Sequence, residues 1–173
     1  MLNLNRNGPV QVVSVTLFKE TAMAVHSASA VVGYKFFKTK KLSETAQVPT
    51  KGHVNDAGWD LHSDEDITLW PGETKLISTG IAMALPKNHV GLIWDRSSMG
   101  VKGIHRHAGV IDSGYRGEVK VCLHNTTSEL YKIKSGDRIA QLLIQETPIF
   151  RLHEVEDLDS TERGSDGFGS TGK

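Results

Sequence analysis

Apolar residues recur at every second position over short runs along most of the chain. Ile77, Ile81, Met83 and Leu85 fall two or four apart, and the same alternation holds for Val90, Leu92 and Trp94 and for Val119, Val121 and Leu123. A period of two places these side chains on one face of a strand, so each run is expected to bury that face. Turn residues punctuate the runs at Pro71-Gly72, Pro86-Lys87-Asn88 and Ser135-Gly136. No long window carries the helical period of 3.6 residues. Short strands separated by turns over residues 32–154 predict an all-β sandwich or barrel.

The two ends of the chain have a different texture. Residues 1–31 mix Ala22, Met23, Ala24 and Val25 with His26, Ser27 and Ser29 and show no period. They read as a poorly ordered N-terminal extension, with Met1 and Met23 both candidate initiators. Glu20 and His26 interrupt the apolar stretch that a secretory signal needs. Residues 155–173 form a C-terminal arm, first acidic and then glycine-rich from Arg163 to Gly172. Such a composition buries too little apolar surface to order itself, which fits a frayed terminus. It equally suits phosphate: amides freed by Gly can close around phosphate oxygens, and Arg163 supplies bidentate charge.

Composition narrows the classes. A length of 173 residues fits one domain. Lys plus Arg number 20 against 20 Asp plus Glu, so the net charge is zero and a general nucleic-acid binder is disfavoured. The single cysteine, Cys122, excludes a disulfide framework, and no C-x-x-C pair suggests structural zinc. No apolar stretch is long enough to span a membrane. His105 and His107 face the same side of a strand, but no third metal ligand accompanies them.

Several turns carry groups with chemistry. Between the apolar runs His107–Ile111 and Glu118–Leu123, the residues Asp112, Ser113 and Gly114 predict a hairpin presenting Asp112 and Tyr115 near its tip. A carboxylate there serves either as a general base or as a local turn cap. Asp95-Arg96-Ser97-Ser98-Met99-Gly100 offers donors that form either a phosphate clamp or an ordinary polar turn. Asp56 and Asp60 are candidates for a water-mediated magnesium site. Asp137 reads as a cap and Arg138 as a structural salt-bridge partner. Ser97 and Ser98 lie in no G-x-S-x-G elbow, so serine nucleophile chemistry has no support.

Taken together and in order, the segments DAGWDL from Asp56, DRSSMG from Asp95, AGVIDSGYRGE from Ala108, GDRIAQL from Gly136 and RGSDGFGSTG from Arg163 resemble the five motifs of the trimeric dUTPase family. The resemblance covers roughly Val32 to Gly172. It implies a jelly-roll-like β-barrel with a flexible C-terminal arm, assembled as a homotrimer with active sites at subunit junctions. The implied reaction is hydrolysis of dUTP to dUMP and pyrophosphate with Mg2+ on the triphosphate. That activity limits uracil incorporation into DNA and supplies dUMP for dTMP synthesis. No direct nucleic-acid or membrane partner is implied, and a soluble intracellular setting, cytoplasm or nucleus, is expected.

The resemblance also distributes roles. Asp112 would be the base for water attacking the α-phosphorus, and Tyr115 would pack on the deoxyribose. Gly109, Val110 and Ile111, within the strand from Lys102, would read uracil through their backbone. Arg96, Ser97, Ser98 and Gln141 would contact phosphates, and Asp60 would hold a water in the magnesium shell. In the arm, Arg163 would reach the γ-phosphate, Phe168 would stack on uracil, and Gly169, Ser170 and Thr171 would cover the triphosphate as a lid. The chain departs from the usual pattern at Trp59, Arg106, Gly114 and Asp166. A dCTP deaminase shares the fold but lacks the Gly-Phe-Gly tail. A relative that binds dUTP as a signal is the alternative of a different class.

Overall fold

The computed structural model describes residues 35–167. The expectations for residues 1–31, Phe168, Gly169, Ser170 and Thr171 lie outside the described residues.

Eleven strands and one single-turn helix make up the described chain. The strands are β1 (Lys38–Lys41), β2 (Trp59–His62), β3 (Ile67–Leu69), β4 (Thr74–Ile77), β5 (Ile81–Ala84), β6 (His89–Trp94), β7 (Ile104–His107), β8 (Val110–Asp112), β9 (Val121–Asn125), β10 (Tyr131–Ile133) and β11 (Arg138–Glu146). The helix, α1 (Ser97–Gly100), follows β6. All pairings are antiparallel, in four sheets ordered β1-β5, β10-β3, β2-β11-β6-β8 and β4-β9-β7. The all-β class expected from the alternation is the one observed.

The runs Ile77–Leu85 and Val119–Leu123 bury the faces their alternation predicts, with Ile77, Ile81, Val119, Val121 and Leu123 almost wholly excluded from solvent. Leu61, Leu69, Ile104, Ile139 and Leu142 join them in one core. Asn125 is fully buried but satisfied: its amide donates to the carbonyls of Leu69 and Glu129, and its Oδ1 accepts from Thr127. A polar group so enclosed needs these partners, because each unmade bond would cost the full desolvation of that group.

Strand β6 departs from expectation. Gly91 and Ile93 face the core, whereas Val90 and Leu92 are half-buried and Trp94 is 49% exposed. The cause is crowding beneath β6, where a Cβ on Gly91 would stand 3.0 Å from Leu142, 3.1 Å from Leu85 and 3.2 Å from Ile111. A glycine contributes no side chain to the apolar pattern, so the inward face is silent in the sequence.

The expected hairpin between His107–Ile111 and Glu118–Leu123 is also different. The first run breaks at Ala108 (φ 62°) and Gly109 (φ 125°). Before the break β7 pairs with β9, and after it β8 pairs with β6 in another sheet. Gly109 is required twice over: its φ is left-handed, and a Cβ would lie 2.9 Å from Ile93 Cβ. The Ile93 amide donates to the Gly109 carbonyl at 2.8 Å and fixes the crossing.

Candidate functional site

The crossing opens a cleft of about 340 Å3 between β8 and the segment Glu118–Cys122. Its walls include His107, within the strand expected to read uracil, and Gly109, Val110, Ile111, Asp112 and Tyr115, all expected at the site, together with Leu76, Lys120 and Cys122, which were not. Lys120 and Cys122 alternate with the buried Val119, Val121 and Leu123, so they point to the opposite face of β9 and its approach. That alternation was the available signal for them. Val110 is 68% exposed and Tyr115 44% exposed, leaving the cleft open on one side.

The turn after β8 is built by local bonds. The Tyr115 amide donates to the Asp112 carbonyl at 3.0 Å, and Arg116 Nη1 donates to the carbonyls of Ser113 and Tyr115. The Tyr115 hydroxyl donates to the Glu118 carbonyl at 2.9 Å, fixing the ring at the mouth of the cleft. The Asp112 carboxylate is exposed, as a group that must receive a proton from water requires. Burial opposes ionisation of the Glu118 carboxyl. The Ser78 hydroxyl, the Gly80 amide and Lys120 nonetheless hold it below its ordinary 4.5.

A second cluster forms where β2, β11 and the β6–α1 turn meet. Asp60 Oδ1 accepts from Arg96 Nε at 2.7 Å, and Asp60 Oδ2 from Arg138 Nη1 at 3.2 Å. Arg96 Nη1 also donates to Ser98 Oγ at 3.2 Å. Gln141 lies opposite Asp60 in register and donates to the Asp95 carbonyl at 2.8 Å. Arg138, expected to be a salt-bridge residue, is one, but its acid is the site's own Asp60. A register shift between Arg138 and Ala140 brings Arg138 opposite His62, and bulges commonly re-aim side chains in this way. His62 lies beneath, 6% exposed, with its Nδ1 unpartnered. Burial, partly offset by Asp60 and reinforced by Arg138 and Arg96, pushes its imidazole below 6.5.

Other expected residues behave differently. Asp56 accepts from the His53 amide at 2.8 Å and so caps its own turn. His105 Nδ1 lies 3.1 Å from Asp95 Oδ2, and the His107 ring centroid is 5.1 Å from that of His124. Among the described residues no three His, Cys, Asp or Glu are placed to hold a metal ion together. Among the described residues, Arg163 bonds within its own turn, its Nε donating to the Asp166 carbonyl at 2.9 Å.

The two clusters do not meet within one chain. Asp112 pairs with Val90 of β6, whereas Arg96 follows the opposite end of that strand. Arg96 lies six positions after Val90, about 20 Å at the rise of an extended strand.

A family model described as dUTPase matches residues 44–172. The deoxyuridine 5'-triphosphate nucleotidohydrolase of Nocardia farcinica is 47% identical over 137 residues, 77% of this chain and 83% of that relative. Among solved structures, a dUTPase of Staphylococcus bacteriophage 80alpha bound to dUpNHpp has a TM-score of 0.76 and 31% identity, spanning 81% of this chain and all of that one. A dUTPase of phage phi11 of S. aureus, whose structure details coordination of a structural Mg(II) ion, has a TM-score of 0.69 and 29% identity, over 73% of this chain and all of that one.

Proposed function

The chain belongs to the dUTPase family and is a dUTP diphosphatase, and from that premise we propose how its residues share the work. The nucleoside enters the cleft beside β8. Backbone groups of Gly109, Val110 and Ile111 read the uracil edge, and the Tyr115 ring packs on the deoxyribose where a 2′-hydroxyl would have to fit. Reading by backbone rejects cytosine, because a mismatched donor or acceptor would be buried unpaired.

Asp112 orients a water toward the α-phosphorus and takes its proton, and the bond to the departing pyrophosphate breaks. In phosphoryl transfer the protein contributes mainly position and electrostatic support. Arg96, Ser97, Ser98 and Gln141 supply donors for the phosphate oxygens. Arg96 is preset for that task by Asp60 and Ser98, which fix its guanidinium plane.

Asp60 suits a magnesium ion carried by substrate. Such an ion would take most of its ligands from phosphate oxygens and waters and would need few from the protein. Both Asp60 oxygens accept from arginine, yet each keeps a lone pair for a metal-bound water. Bound there, magnesium would offset charge on the triphosphate.

The observation that carries this reading is the separation of Asp112 from Arg96 along β6. It supports a homotrimer in which one subunit supplies the cleft and base, a second the clamp, and an arm bearing Arg163, Phe168, Gly169, Ser170 and Thr171 closes over them. The residues between β11 and the arm's motif support it as well, since Ile149, Phe150, Leu152 and Leu158 are exposed. The test is pyrophosphate release from dUTP, dCTP, dTTP and UTP with magnesium, on wild type and Asp112→Asn. Release from dUTP alone, lost in the variant while dUTP still binds, is expected; undiminished turnover in the variant would remove Asp112 from its role.

A further inference from the structure

The corner at Ala108–Gly109 forms the wall of the nucleoside cleft, and Ala108 is one of two described non-glycine residues with positive φ. A side chain held at φ 62° persists only where its surroundings over-determine it. Arg106, two residues earlier, supplies the restraint. Its Nη1 donates to the Ala108 carbonyl at 3.1 Å, and its guanidinium carbon sits 4.9 Å from the centroid of the Trp94 ring. Its backbone amide donates to Asp95 Oδ1 at 2.8 Å, while Asp95 Oδ2 takes His105 Nδ1. Strand β7 is the edge of its sheet, so the Asp95 carboxylate satisfies an outward amide that no strand covers. One carboxylate and one indole thus grip Arg106 from two sides, and its outer end holds the carbonyl of the strained residue.

We propose that Arg106, seated by Asp95 and Trp94, is a positioning residue that sets the Ala108–Gly109 corner in the orientation in which it reads the nucleoside. The proposal rests on the reading that this cleft takes the base of dUTP. Arg106 acts through backbone and makes no contact with substrate. Neither Asp112 nor the clamp depends on its guanidinium, so its loss weakens recognition before it slows chemistry.

The experiment compares steady-state hydrolysis of dUTP and dCTP by wild type, Arg106→Ala, Arg106→Lys, Asp95→Ala, Asp95→Asn and Tyr115→Ala, with melting temperatures measured alongside. Arg106→Ala is expected to raise KM for dUTP about tenfold, the effect of losing one charge-assisted hydrogen bond. Its kcat should fall less than KM rises, and discrimination against dCTP should narrow. Arg106→Lys, which keeps a donor, and Asp95→Asn, which keeps an acceptor for the Arg106 amide, should recover part of what the alanine variants lose. Glycine tolerates φ 62° without the side-chain penalty. Adding Ala108→Gly to Arg106→Ala should therefore restore part of the lost KM, and a double-mutant cycle measures the coupling.

An unchanged KM and unchanged discrimination in Arg106→Ala would overturn the proposal, as would a kcat loss without a KM change. A loss that Ala108→Gly leaves untouched would do so too. Tyr115→Ala separates the two levels: if it also leaves KM unchanged, the nucleoside is not bound in this cleft and the underlying reading fails. If Tyr115→Ala raises KM and Arg106→Ala does not, only the positioning role fails.

Discussion

Mixing two inactive variants tests whether the site is assembled between subunits. One variant is Asp112→Asn, which removes the base, and the other is Arg96→Ala, which removes the clamp. In a single chain the two positions lie about 20 Å apart along β6, farther than a triphosphate nucleotide bridges while its α-phosphorus meets Asp112. Each pure variant therefore lacks one essential part at every junction. In a mixed ring a junction is whole when the base comes from the Arg96→Ala chain and the clamp from the Asp112→Asn chain. With equal amounts and random assortment that arrangement arises at about a quarter of the junctions of a closed cyclic oligomer. Co-expressing the two chains with different affinity tags, purifying through both, and measuring pyrophosphate release gives the readout. Dual-tag purification keeps only mixed rings, which raises the fraction to about a third for trimers holding both chains. Activity near that fraction of wild type is expected. A mixed preparation no more active than its parents would mean that base and clamp serve the same chain's site, and the assembly argument would fall.

Further expectations follow from individual contacts. Truncation after Glu162 should abolish dUTP turnover while leaving the melting temperature within a few degrees, since among the described residues Arg163 bonds to its own turn; unfolding of the truncated chain would refute the lid. His62 titrates below 6.5 in the native state, so between its native value and 6.5 the unfolded chain binds more protons and stability rises with pH. Thermal melts should fall as pH drops from 7 toward 5.5, and His62→Gln should flatten that slope; an equal slope in the variant would show that other groups cause it. Asn125→Ala strips the partners of two carbonyls and of Thr127 and is expected to cost about 2–3 kcal/mol in denaturant melts. A cost below 0.5 kcal/mol would mean that water replaces the amide.

Legibility in the sequence divides along physical lines. Val119, Val121 and Leu123 announced their strand because an inward face of large apolar side chains leaves a plain alternation. Strand β6 misled because Gly91 occupies an inward position with no side chain to register, leaving Val90, Leu92 and Trp94 to mimic a buried stripe. The segments around Asp112, Arg96 and Gln141 were legible as ordered motifs. Their division between two places was not, because it depends on β8 choosing β6 as neighbour when its chain neighbour β7 pairs with β9. Two backbone angles at Ala108 and Gly109 make that choice, and an Ala-Gly pair does not display them. Asp95 looked like a turn residue, and its bonds to Arg106, His105 and Gln141 join segments distant in sequence.

The proposed assembly accounts for both the exposed apolar residues beyond β11 and the separation of base from clamp. Residues Ile149, Phe150, Leu152, Val155 and Leu158 occupy a stretch that pairs with no strand among the described residues and are left largely open to solvent. Large contiguous apolar exposure of this kind marks a surface that another molecule covers. In the proposed trimer, a chain whose base and clamp serve different junctions would also need a third element to close each one, and an arm leaving the sheet can reach where a compact loop could not. On the proposed reading, the glycine-rich composition of residues 163–172 suits a closure that depends on the triphosphate. An arm bound firmly by apolar contacts along its whole length would hold product as tightly as substrate. On the proposed reading, apolar anchoring near β11 followed by a polar, glycine-rich tip would let product leave without breaking the anchor.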